Sequence, residues 1–173
     1  MKLIFREIHA AYGKSPFLPA LLFCLTLVLM SGCAQRKITA GSPSTAKIST
    51  GSMVANTAAA QIGKPYRSGG ASPQRGFDCS GLVFWAYAQH DIKVPRATTE
   101  QAKAGTSIPR SKLLPGDIVV FRESSGPNKL HTGIYAGGNN FIHSPNSRSA
   151  VRIDSLETPH WRKAFVSGRR ILK

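Results

Sequence analysis

The order of patterns along the chain predicts an α+β domain, with helix-forming segments first and a run of short antiparallel strands after them. Three observations carry that reading. Leu82, Val83, Trp85, Ala86 and Ala88 recur at helical spacing directly after Asp78-Cys79-Ser80-Gly81. Ile118-Val119-Val120-Phe121 is an unbroken apolar run behind the turn Leu114-Pro115-Gly116-Asp117, the composition of a buried strand. Two more strand-like segments, 130–136 and 140–143, flank Gly137-Gly138-Asn139.

Ahead of that domain the chain reads as an export signal. Lys2, Arg6 and Lys14 precede an apolar run from Phe17 to Met30 that breaks at Ser31-Gly32-Cys33. The run is shorter than the roughly 18–20 residues a spanning helix needs. Met30-Ser31-Gly32-Cys33 resembles a bacterial lipobox, in which the cysteine is diacylated and becomes the first mature residue; Met30 stands where Leu is more usual. Residues 1–32 are therefore expected to be a lipoprotein signal, with lipid on Cys33. Plain secretion with cleavage elsewhere, or an uncleaved anchor, is the alternative. Ala34 follows the cysteine, where an Asp would signal inner-membrane retention, so the expected location is the periplasmic face of the outer membrane. Residues 33–52, rich in Ser, Thr, Gly, Ala and Lys, read as a flexible tether. Residues 53–173 form one domain, of a length that supports its own core.

Within the domain, residues 52–62 have helix-like composition around Ala58-Ala59-Ala60 and stop at Gly63-Lys64-Pro65. Residues 65–70 form a turn-rich loop leading toward the cysteine. Asp78 is a good N-cap for the following helix, its carboxylate accepting from backbone N–H groups. Thr98 and Gln101 have the spacing of a capping box on a short helix. Residues 151–153 and 164–172 are further strand candidates, completing a meander.

Cysteine usage isolates one thiol. Cys24 leaves with the signal and Cys33 carries lipid, so Cys79 stands alone. At a helix start it feels the positive end of the helix dipole, which favours thiolate. A buried structural cysteine is the competing reading. Two histidines shift the balance. His131 and His143 have the same parity, and a three-residue loop at 137–139 makes residues whose numbers sum to 276 face each other. His131 and His143 then become diagonal neighbours on one face of the ribbon, with Cβ atoms about 7 Å apart and within reach of a hydrogen bond between rings. Gly133, opposite His143, leaves room for a ring, and Ile134 and Ile142 point the other way, into the core. A nucleophile, a base and a polar group orienting the base are the parts of a cysteine hydrolase. Zinc held by Cys79, His131 and His143 is the rival, but no Cys-x-x-Cys or His-Glu-x-x-His spacing supports it, so neither metal nor cofactor is expected.

The formal net charge is +15, and +13 without residues 1–32. Such an excess suits an anionic partner. An exported lipoprotein does not meet nucleic acid; carboxylate-rich cell wall or anionic lipid is nearer.

These residues also carry a family resemblance. Lys64-Pro65-Tyr66-Arg67 with Gly69-Gly70, Phe77-Asp78-Cys79-Ser80-Gly81-Leu82, Pro95-Arg96, Leu114-Pro115-Gly116-Asp117, and His131-x-Gly133-Ile134-Tyr135 followed by Phe141-Ile142-His143 resemble the NlpC-type cell-wall cysteine peptidases. The ending, Pro159-His160-Trp161 through Gly168-Arg169-Arg170-Ile171, is most similar to the Spr-type murein endopeptidases. The resemblance implies a papain-like fold and a monomeric enzyme that cuts peptidoglycan stem peptides without a cofactor. It makes Cys79 the nucleophile, His131 the base and later acid, and His143 the residue that orients His131. It also places Tyr66 beside the thiol as an oxyanion donor and Ser80 against the substrate, with Asp78 capping and Arg96 toward a substrate carboxylate. The residue-level alternatives are a groove-wall Tyr66, a Ser80 that satisfies its own helix, and an exposed Arg96. Ser68 stands where many relatives carry an aromatic residue. The bond expected to be cut is D-alanine–diaminopimelate, with D-glutamate–diaminopimelate second. A wall-binding lipoprotein without activity, and a thiol amidase or acyltransferase on another exported molecule, are the other classes.

Overall fold

The computed structural model describes residues 49–123 and 129–172. The expected signal, Cys33 and most of the expected tether lie outside them. Helix α1 (Thr50–Ala59) begins at a cap in which Ser49 Oγ accepts from the Ser52 N–H, so the ordered domain starts inside the segment assigned to the tether. A small hairpin, β1 (Ala71–Ser72) and β2 (Gly76–Phe77), then delivers the chain into helix α2 (Cys79–Ala88). Helix α3 (Thr98–Gln101) is a single turn.

The remainder is one antiparallel sheet built from β3 (Thr106–Ile108), β4 (Ile118–Arg122), β5 (Leu130–Gly137), β6 (Asn140–His143), β7 (Arg152–Ser155) and β8 (Phe165–Arg170), with helix α4 (Pro159–Ala164) before the last strand. The order is β3-β8-β4-β5-β6-β7. The expected meander holds for β4 to β7. It fails for the C-terminal strand, which returns to pair between β3 and β4, and residues 159–164, where Pro159 sits at the first helical turn, are helix. β3 carries no apolar alternation and gave no strand signal; it is an exposed edge held by pairing with β8.

Alternation along the strands sorts side chains onto two faces. Ile118, Val120, Ile134 and Ile142 face helices α1 and α2, against Val54, Ala58, Leu82, Val83 and Tyr87. Val119, Phe121, Tyr135 and Phe141 face the other way, packed with Leu156, Trp161 and Phe165. Both faces being covered explains why β4 reads as a continuous apolar run and not as an alternation.

The β5–β6 turn differs in detail from the expected three-residue loop. Gly137 pairs with Asn140, leaving a two-residue loop, Gly138-Asn139, both with positive φ, and an irregularity between Tyr135 and Gly137 supplies the extra residue. Beyond it the pairs are Tyr135 with Phe141 and Ile134 with Ile142, which keeps the sum of 276.

Candidate active site

Helix α2 is pinned at both ends. At its start Asp78 Oδ1 accepts from the Gly81 N–H at 2.6 Å and Oδ2 from the Gly69 N–H at 2.8 Å. Gly81 is required sterically, since a Cβ there would sit 2.0 Å from the Gly70 carbonyl oxygen. At its far end the Tyr87 hydroxyl donates to the Gly116 carbonyl. Cys79 is thus set at the first helical position beside the beginning of β5, where the Thr132 and Ser80 backbone N–H groups act on its sulfur. The Thr98 hydroxyl sits 3.7 Å from Sγ. Tyr66 is carried alongside by a parallel bridge to Phe77, close enough to Cys79 for the two to affect each other's ionisation.

Thr98 and Gln101 make no capping box, because Ala97 is the N-cap and no side chain caps the turn. Their side chains are used at the site instead. Gln101 is fully buried; its Nε2 donates to the Ser80 and Pro95 carbonyls at 3.0 and 2.8 Å, and its Oε1 accepts from the Thr132 hydroxyl at 2.9 Å. One side chain therefore joins the residue after the nucleophile to the residue after His131.

His131 and His143 meet as the diagonal pairing expects: His131 Nε2 and His143 Nδ1 are 2.7 Å apart, with the rings nearly perpendicular. The tight fit rests on Gly133, where a Cβ would come 2.8 Å from the Ile142 carbonyl oxygen and 3.1 Å from the His143 Cβ. A fourth group, absent from the sequence reading, continues the line. His143 Nε2 is 2.9 Å from Asp154 Oδ2, and that oxygen also accepts from Arg152 Nε and Nη2 and from Trp161 Nε1. The same register arithmetic locates it. β6 and β7 pair with sums of 295, and His143 and Asp154 are again offset by two.

The line fixes the protons. Asp154 is an acceptor, so the proton of His143 is on Nε2 and its Nδ1 is a lone pair. His131 must then donate from Nε2, which leaves His131 Nδ1 as the free base. Glu123 Oε1 lies 3.6 Å from that nitrogen. Burial drives both imidazoles toward neutrality, His131 to about 3 and His143 to about 4. Burial also pushes the Cys79 thiol up, against the pull of the Thr98 hydroxyl and the Thr132 and Ser80 N–H groups. Desolvation thus works against the thiolate that the helix start favours. Burial pushes the Asp154 carboxyl up too, but its bonds to Arg152, His143 and Trp161 prevail and hold it below the usual range.

Arg96 and Ser80 are already engaged. Arg96 spans both oxygens of Asp78 at 2.8–2.9 Å and donates to Ser80 Oγ at 2.8 Å and to the Gly70 carbonyl. Ser80 is buried and donates to Asp78. Among these three, what the structure displays is a cluster that braces the nucleophile loop. Burial raises the Asp78 carboxyl, but Arg96 and the Gly81 and Gly69 N–H groups overcome it and keep it ionised. Among the described residues, no three His, Cys, Asp or Glu side chains converge as a metal site.

The NlpC/P60 family pattern matches residues 63–170. The chain belongs to the NlpC/P60 family. It is 41% identical over 157 residues to the Probable endopeptidase NlpC of Escherichia coli, covering 86% of this chain and 99% of that one. It is 43% identical over 111 residues to the E. coli Murein DD-endopeptidase MepS/Murein LD-carboxypeptidase, covering 64% of this chain and 57% of the relative. A crystal structure of an NlpC/P60 family protein from Bacillus cereus superposes with a TM-score of 0.67 at 32% identity, over 73% of this chain and 41% of that one. The α+β fold is thus that of NlpC/P60 proteins, and this member is an enzyme of the cysteine peptidase type. Sequence reasoning missed Asp154, Trp161, Gln101 and Thr98. Asp154 follows from the diagonal rule only once the observed β6–β7 register is known.

Proposed function

We propose that this NlpC/P60 enzyme is a peptidoglycan endopeptidase that cuts the D-alanine–diaminopimelate cross-link between stem peptides. One observation carries the catalytic part: the line from His131 through His143 to Asp154 leaves a lone pair on His131 Nδ1, one residue before Thr132, whose backbone N–H acts on the Cys79 sulfur. The name of the Murein DD-endopeptidase MepS/Murein LD-carboxypeptidase relative supports both the polymer and the bond.

Burial disfavours charge on both partners. His131 Nδ1 takes the Cys79 proton as sulfur attacks the scissile carbonyl, so the thiolate need not exist before substrate is bound. The positive charge then on His131 is balanced through His143 to Asp154, and by Glu123 at 3.6 Å. In this reading the Cys79 backbone N–H and the Tyr66 hydroxyl receive the developing oxyanion. Nδ1–H next protonates the leaving nitrogen, the C–N bond breaks, and water delivered through the same nitrogen hydrolyses the thioester. No cofactor takes part, and one copy of the chain supplies every group.

The decisive experiment incubates the full-length protein, in detergent, with purified cross-linked muropeptide dimers and identifies products by mass spectrometry. Monomeric products are expected from wild type and none from Cys79→Ala; products that survive the substitution refute the mechanism. Cleavage only between D-glutamate and diaminopimelate replaces the proposed bond with the second one. We further propose attachment at Cys33 to the periplasmic face of the outer membrane, supported by the lipobox-like 30–33 segment. Incorporation of labelled fatty acid by wild type and not by Cys33→Ser is the expected result; equal labelling of both sinks it.

A further inference from the structure

A cavity of about 410 Å³ opens directly beside the catalytic base, within the range of small-ligand sites. Its lining includes Arg122, Glu123, Asn146, Arg152, His160 and Trp161. Two of these touch His131: Trp161 stacks on the ring with centroids 5.6 Å apart, and Glu123 approaches Nδ1. Nδ1 is the nitrogen that returns the proton to the leaving amine, and proton transfer requires hydrogen-bond reach between them. The residue attached to that amine is then directed at this cavity, whose Glu123 and Trp161 flank the base.

The walls are cationic and polar, not greasy. Arg152 turns Nε and Nη2 to Asp154 and, with its side chain 51% exposed, has no partner for Nη1 among the described residues. Arg122 contributes a second guanidinium. Guanidinium groups recognise carboxylates in a fixed planar geometry. Among the described residues Glu123 is the one lining carboxylate, and its Oε1 lies 3.6 Å from the base nitrogen. The bonds under discussion differ in the group a leaving residue would present here. In the D-alanine–diaminopimelate cross-link, the carbon bearing the leaving nitrogen also bears a free carboxylate. In the D-glutamate–diaminopimelate bond within an intact stem, the equivalent carbon bears an amide.

Resting on the proposed endopeptidase reading, we propose that this cavity is the leaving-group subsite and that Arg152, with Arg122, selects a leaving residue with a free α-carboxylate. The test compares two muropeptide dimers, identical except that the carboxylate next to the scissile nitrogen is free in one and converted to a primary amide in the other. Full-length enzyme is expected to favour the free acid by roughly tenfold to a hundredfold in kcat/KM, the range of one charge-assisted hydrogen bond. Arg152→Gln slows both reactions, since Arg152 also holds Asp154, but that loss cancels in the ratio, which should fall to within about threefold of unity. Arg122→Gln should also reduce the ratio. Equal cleavage of the two dimers by wild type, or a ratio that survives both substitutions, removes the subsite and leaves the cross-link reading standing. Failure to cut either dimer while stem peptides are cut at D-glutamate overturns both.

Discussion

Removing Asp154 tests the proton arrangement directly. In Asp154→Ala, four N–H donors lose their shared acceptor, and His143 loses the group that keeps its proton on Nε2. A His143 protonated on Nδ1 donates to His131 Nε2, which forces the His131 proton onto Nδ1 and blocks the base. A hydrogen bond to a charged group contributes about 1.5–3 kcal/mol, so kcat should fall roughly 10- to 100-fold at about 1.4 kcal/mol per factor of ten. Asp154→Asn, which keeps an acceptor oxygen and loses the charge, should recover part of this. The assay pairs steady-state turnover of cross-linked dimers with ¹⁵N-histidine NMR, where protonated and lone-pair ring nitrogens resonate far apart. Wild type should show His131 and His143 protonated on Nε2, and Asp154→Ala should show mixed tautomers. A variant with unchanged kcat, or one with lowered kcat and wild-type tautomers, refutes the reasoning.

Gln101→Leu keeps volume but strands the Ser80 and Pro95 carbonyls and the Thr132 hydroxyl, so a loss of about 2–4 kcal/mol in urea unfolding is expected; a loss below about 1 kcal/mol counts against its clamping role. Gly133→Ala drives a methyl against the Ile142 carbonyl and the His143 Cβ, at an overpacking cost of about 1–3 kcal/mol. Because one displaced group is the Cβ that carries the His143 ring, turnover should fall more than stability does, and the reverse order contradicts the packing account. Acid should also destabilise the fold. His131 and His143 are neutral when folded, with values pushed down to about 3 and 4, and protonate near 6.5 when unfolded. The unfolded chain therefore binds up to two more protons, and this stability, complete above about pH 6.5, is lost as pH falls toward about 4 at up to roughly 2.7 kcal/mol per pH unit. Urea midpoints that stay flat over that window disprove neutral burial.

How far the chain could be read follows from where its signals are local. The helix start at Asp78-Cys79, the buried strand at 118–121 and the His131–His143 diagonal all depend on spacing within one element or one tight turn, and they were legible. The turn itself was counted one residue long, yet the register came out right because the bulge restored the missing residue. Gln101 and Thr98 were misassigned because a Thr-x-x-Gln spacing suits a capping box, while their actual partners, Ser80, Thr132 and Cys79, are 19 to 31 positions away. The insertion of β8 between β3 and β4 is likewise a long-range choice that no local pattern announces. The desolvation acting on Cys79 was not legible for a related reason: the helix dipole is visible in sequence, and burial is not.

The desolvation that pushes the Cys79 thiol up also bears on how long such an enzyme lasts. Peroxides and alkylating agents attack sulfur as the anion, and a sulfur held as thiol offers them little. Only an amide carbonyl presented beside His131 Nδ1 draws the proton away at the moment of attack. Chemical durability and selectivity thus share one origin, and alkylation of Cys79 by iodoacetamide should accelerate only in alkaline solution; rapid alkylation at neutral pH would contradict this.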